Sequence, residues 1–136
     1  MTPHSAPASL RCEIFPADLD ATVDFYVKVL AFGLVRDERL AEHPYVALER
    51  GDVKLGAAAR KDVASREHRR PPTGVELVLE VEDLEADRER VAEANWPVVE
   101  DITPRPWGLS DFRLLDPSGY YWRITEASST PRTPSR

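Results

Sequence analysis

The 136-residue chain predicts an α+β fold of two tandem βαβββ modules whose curved mixed sheets enclose a cleft. Three observations carry this. The order strand, helix, then three strands runs twice along the chain. The pair Asp18-Leu19 returns as Asp83-Leu84, and Gly51 before Val53-Lys54-Leu55 returns as Gly119 before Tyr121-Trp122-Arg123. A module of about 55 residues buries too little surface to stand alone, so two of them must share a core.

Leu10 to Phe15 is β-compatible and ends at Pro16. Asp18 stands where a helix N-cap belongs, ahead of Leu19, Val23, Tyr26, Val27 and Leu30 at three- and four-residue spacing. Gly33 is the expected helix stop. Strands follow over Leu34–Leu40, Tyr45–Arg50 and Val53–Ala59, with Gly51-Asp52 as a hairpin turn. The second module opens on a strand over Val75–Val81. Asp83 caps a helix over Leu84–Ala94, and Val98-Val99 begin the next strand. Phe112–Leu115 and Tyr120–Thr125 form a hairpin around the turn Asp116-Pro117-Ser118-Gly119. The organisation is therefore an N-terminal tail (1–9), a first module with linker (10–70), a second module (71–127) and a C-terminal tail (128–136). Both tails, rich in Pro, Ser and Thr, are expected to be disordered.

Composition narrows the function classes. A net charge of −6 with scattered Lys and Arg argues against nucleic acid, because phosphate binding needs a concentrated basic surface. The densest basic run, Arg66-Glu67-His68-Arg69-Arg70, holds an acid and leads into Pro71-Pro72, so it reads as a solvated loop. One cysteine, Cys12, precludes an intrachain disulfide and fits a reducing cytoplasm. It reads as a small buried apolar residue rather than a nucleophile. No secretory signal and no membrane-spanning stretch is visible.

Two motifs then bear on family. Pro16-Ala17-Asp18-Leu19 with Phe25-Tyr26-Val27-Lys28-Val29-Leu30-Ala31-Phe32-Gly33 forms the first. Arg105-Pro106-Trp107-Gly108-Leu109-Ser110-Asp111-Phe112-Arg113, then Leu114-Leu115-Asp116-Pro117-Ser118-Gly119-Tyr120, forms the second. They resemble the opening and closing motifs of the vicinal oxygen chelate superfamily, the glyoxalase, bleomycin-resistance and extradiol dioxygenase group, and its bleomycin-resistance-like branch in particular. The likeness covers nearly all of residues 10 to 126.

The resemblance implies a metal ligand on the first strand of each module, seven residues before the capping Asp, and a carboxylate on the last strand. Those positions hold Arg11, Glu76 and Glu126. A divalent ion wants neutral imidazole or carboxylate oxygen, and Arg11 would repel it, so no metal and no cofactor is expected. A one-residue shift of register would turn Cys12 or Glu13 inward instead. His4, His43 and His68 read as surface residues. Arg11, Glu76 and Glu126 either hold polar edges of a ligand or form a buried network joining the sheets.

The aromatic residues carry the rest. Trp122 alternates with Ile124 and Glu126 and is expected on the concave face. Trp107 lies in a loop beside it. Phe112 and Tyr45 each read equally as core or as pocket. Trp96, Phe25 and Tyr26 are assigned to packing. Flat aromatic walls with a few polar groups suit a planar conjugated ligand. The resemblance thus implies binding and sequestration of an aromatic antibiotic or natural product, for drug resistance or self-immunity, by a homodimer with clefts at the subunit interface. Two readings compete with it. One is a lyase, isomerase or dioxygenase using Glu76 or Glu126, with or without metal. The other is a sensor or scaffold without activity of its own.

Overall fold

A computed structural model describes residues 6–61 and 74–127. The basic run Arg66–Arg70, His68, the Pro71-Pro72 junction, His4 and residues 128–136 lie outside the described residues.

The elements run β1 (Arg11–Ile14), α1 (Leu19–Lys28), β2 (Gly33–Glu38), β3 (Tyr45–Arg50), β4 (Val53–Ala58), β5 (Leu77–Val81), α2 (Leu84–Glu93), β6 (Glu100–Pro104), β7 (Ser110–Leu115) and β8 (Tyr121–Glu126). They form two four-stranded sheets of order β1-β4-β3-β2 and β5-β8-β7-β6. In each, the first strand pairs in parallel with the last and the other pairings are antiparallel. The predicted βαβββ repeat is therefore present twice, in mixed sheets that do not close on themselves.

The repeat reaches the atoms. Asp18 accepts from the Ala21 N–H and Asp83 from the Ala86 N–H, both at 3.0 Å, so each side chain satisfies an N–H that the first turn leaves unpaired. Each helix runs ten residues. Each is followed by a left-handed residue, Ala31 at φ 61° and Asn95 at φ 56°. The expectation that Gly33 stops the first helix is thus corrected. The chain reverses at Ala31, and Gly33 already belongs to β2.

Alternation along the strands separates two faces. Ile14, Val46, Leu48, Leu55 and Ala57 of the first sheet, and Leu79, Val81, Phe112, Leu114, Trp122 and Ile124 of the second, enter one core with the helices. Phe25 stacks edge-on against Tyr26 at 4.9 Å and lies 4.8 Å from Trp96, which donates to the Leu115 carbonyl. The assignment of Phe25, Tyr26 and Trp96 to packing holds. Arg50 at the end of β3 grips Asp87 on α2 through two hydrogen bonds of 2.8 and 3.1 Å. Burial alone would raise the Asp87 pKa, but hydrogen bonds and charge from Arg50 and Arg90 outweigh it and hold the carboxyl below its ordinary value. Cys12 is half-buried on the core side, and burial raises its thiol pKa, so it is not poised as a thiolate.

Candidate functional site

Because the joined core occupies the helix side of both sheets, the opposite face of each sheet is where polar side chains gather. On the first sheet, Arg11 and Glu13 project from β1 and Tyr45 from β3. Glu13 Oε2 accepts from the Tyr45 hydroxyl at 2.8 Å and from Arg11 Nε. Gly56 lies directly beneath, in register with Glu13 and Ala47. A Cβ there would run into both the Tyr45 hydroxyl and the Glu13 carboxylate, so glycine is what lets that pair lie flat on the sheet. Burial, followed by the hydrogen bond to Glu13, raises the Tyr45 pKa and keeps the phenol protonated. A cleft of about 700 Å³ opens over this face, lined by Arg11, Glu13, Arg36, His43, Tyr45 and Arg60 among others. The Arg60 guanidinium is stacked 4.6 Å above the Phe15 ring. His43 lies in the loop before β3, as expected, yet it belongs to this lining.

On the second sheet the open face centres on Asp111, which is wholly inaccessible to solvent. Its Oδ1 accepts from Arg105 Nε at 3.0 Å, Arg105 NH2 at 2.8 Å and Arg113 Nε at 3.3 Å. Burial would raise the Asp111 pKa, but these hydrogen bonds prevail and hold it below the ordinary value. Arg123 on β8 reaches over the same face. It bonds Glu76 at 2.9 Å and lies 5.8 Å from the Trp107 ring. Trp107 itself is 56% exposed.

Several sequence expectations change here. Trp122 is only 3% exposed and Phe112 is fully buried, both on the helix side. Trp122 therefore does not face the open side as expected; its indole fills the space between α1 and the second sheet. The alternation itself was sound, since Trp122 and Ile124 share a face, but that face is the core. Glu126 lies on the same side of β8 as Trp122, where Oε1 accepts the Ser110 N–H at 2.7 Å. The open face of the last strand carries Tyr121, Arg123 and Thr125 instead. Arg11, Glu76 and Glu126 do not form one group: Arg11 pairs with Glu13, Glu76 with Arg123, and Glu126 with the β7 backbone. No register shift is needed at β1, because Arg11 and Glu13 share the open face and Cys12 faces the core. Arg105, Asp111, Arg113 and Arg123 were not anticipated as site residues. The signal available was the spacing Asp111-x-Arg113, which puts acid and base side by side on one face of a strand.

The donor set at the implied metal positions does not fit a divalent ion. Arg11 is a permanent cation, the carboxylates of Glu13 and Glu76 already accept from guanidinium groups, and no cluster of three His, Cys, Asp or Glu side chains able to hold a metal occurs among the described residues.

Comparison with known proteins agrees with this architecture. Residues 9–124 match the family described as Glyoxalase/Bleomycin resistance protein/Dioxygenase superfamily. No curated protein matches the chain. Among solved structures, the chain is similar to TioX from Micromonospora sp. ML1, at 22% identity and TM-score 0.70 over 88% of this chain and 98% of that one. It is similar to UcmS2 at 20% identity and TM-score 0.71, over 90% of this chain and all of the other. A glyoxalase/bleomycin resistance protein/dioxygenase superfamily member from Sphaerobacter thermophilus DSM 20745 aligns at 20% identity and TM-score 0.67, over 90% of this chain and 98% of that one. At these identities the likeness speaks for the fold.

Proposed function

The chain belongs to the glyoxalase/bleomycin resistance protein/dioxygenase superfamily, and on that premise we propose that it captures a planar aromatic small molecule without metal-dependent turnover. Sequestration of this kind serves drug resistance or self-immunity, in a cytoplasmic setting that suits a protein with one thiol. The observation that carries the reading is Trp107, an indole more than half exposed beside the Arg123 guanidinium on an open sheet face. An exposed indole flanked by a guanidinium offers a flat apolar surface with a polar edge, the chemistry that a planar conjugated ligand stacks on.

A homodimer completes the site. Among the described residues of one chain, no element stands opposite either open face, because the modules join through their helix sides. Apposing the first sheet of one copy with the second sheet of another would set Tyr45, Arg11 and Glu13 across from Trp107, Arg123 and Glu76. Trp122 and Phe112 then support the site from the core, and Glu126 braces β7. The test is titration of the purified protein with aromatic natural-product chromophores, followed by tryptophan fluorescence. Saturable quenching, an unchanged chromophore by mass spectrometry, and at least tenfold weaker binding by Trp107→Ala are expected. Chemical conversion of the chromophore would replace capture with catalysis.

One observation favours the catalytic alternative: Glu13, not Glu76 or Glu126, is the carboxylate set in a cleft beside a phenol. If turnover is found, Glu13 is the residue placed to accept a proton and Tyr45 the one placed to donate a hydrogen bond.

A further inference from the structure

The Asp111 node is over-supplied with cations yet leaves two polar atoms unmatched. Three hydrogen bonds converge on Oδ1, while Oδ2 is buried and has no hydrogen-bond partner among the described residues. Arg123 NH1 stands 4.0 Å from Oδ2, beyond hydrogen-bond range. Arg123 Nε is likewise buried and unpartnered. A buried donor and a buried acceptor left unmade are costly, and each demands a partner. The Arg123 guanidinium is held on its other side by a partly exposed carboxylate, Glu76, at 2.9 Å.

Resting on the capture reading above, we infer that this node sets ligand specificity. A hydroxyl on the aromatic ligand inserts between Arg123 and Asp111, donating to Oδ2 and accepting from Nε, while the ring system lies against Trp107. The chemistry of the two atoms selects this group. A ligand carboxylate would meet the ionised Asp111, and a ligand ammonium would meet the guanidinium. A hydroxyl alone offers donor and acceptor on one atom. The hydrogen bonds that hold the Asp111 pKa low keep Oδ2 an acceptor throughout the neutral range.

The experiment compares two water-soluble probes, anthraquinone sulfonate and its dihydroxylated counterpart alizarin red S, by calorimetry and tryptophan quenching on the full chain. A hydrogen-bonded ligand hydroxyl flanked by charged groups supports a preference of about tenfold to a hundredfold for the hydroxylated probe. Arg123→Gln, at a partly exposed position, is expected to abolish that preference without unfolding the protein. Trp107→Ala is expected to weaken both probes in proportion and leave the preference intact. Equal affinity of the wild-type protein for the two probes would overturn the specificity assignment while leaving aromatic capture standing; the unmatched atoms would then serve an internal water. Failure of both probes to bind would remove the capture reading and this inference with it. A preference that survives Arg123→Gln would overturn the inference on its own.

Discussion

The Trp122 indole N–H donates to the Tyr26 hydroxyl at 2.9 Å, joining the last strand of the second module to the first helix of the first. Tyr26 passes the bond on to Asp116 Oδ2 at 2.6 Å, and Asp116 Oδ1 accepts the N–H groups of Ser118 and Tyr120 in the turn that starts β8. Burial, then the charge of Asp116, raises the Tyr26 pKa far enough to keep the phenol protonated. A signature turn and a signature helix are thus two ends of one buried network.

Removing the middle of that network is expected to cost stability. Tyr26→Phe deprives Trp122 of its acceptor and Asp116 of a donor, for a loss of about 1–3 kcal/mol in urea unfolding. Trp107→Ala, at an exposed site, is expected to stay within about 0.5 kcal/mol of wild type. Equal effects from the two changes would contradict their assignment to core and open face.

Gly56 gives a sharper probe of the first open face. Gly56→Ala drives a methyl group into the Tyr45 hydroxyl and Glu13, and is expected to destabilise by about 1–3 kcal/mol. Tyr45→Phe removes one of the obstructing atoms, so the double variant is expected to lose less than the sum of the two single changes. Strict additivity in that cycle would mean that the pair does not lie over Gly56.

Acid stability draws on two of the buried carboxylates, each held by arginines. Asp87 and Asp111 both have folded pKa values below their ordinary value. Their contribution is therefore fully present above the unfolded carboxylate pKa of about 4 and is lost as pH falls through the lower folded values. Arg50→Met withdraws one cation from Asp87 and is expected to flatten the acid limb of a stability–pH curve. An unaltered slope between about pH 2 and 5 would show that the Arg50–Asp87 bridge does not hold the modules together.

Metal removal is expected to change nothing. With a guanidinium at residue 11 and the neighbouring carboxylates bound to arginines, dialysis against a chelator leaves melting temperature and chromophore affinity where they were. A stoichiometric transition metal in the purified protein, restored after chelation together with affinity, would contradict the reading of the donor set.

The repeat, the caps and the turns were legible in the amino-acid sequence because they depend on local chemistry. Asp18 and Asp83 cap helices through bonds three residues long, and Asp116 to Gly119 closes a turn on itself. The permanent charge of Arg11 needed no structure either. The ends of the first helix were less legible, since Ala31 takes a left-handed conformation that glycine adopts more easily. Which side of β8 faces the core and which the open side was not legible at all. Period-two alternation says that Trp122 and Ile124 lie together, but both faces of that strand carry large side chains, and only packing against α1 chooses the core. The same choice brings Arg123 to the open side, and with it the Arg105–Asp111–Arg113 cluster. Tertiary structure decided the place of Arg123 because its partner Glu76 is 47 residues away in sequence, and pairing across a sheet has no signature in any one segment.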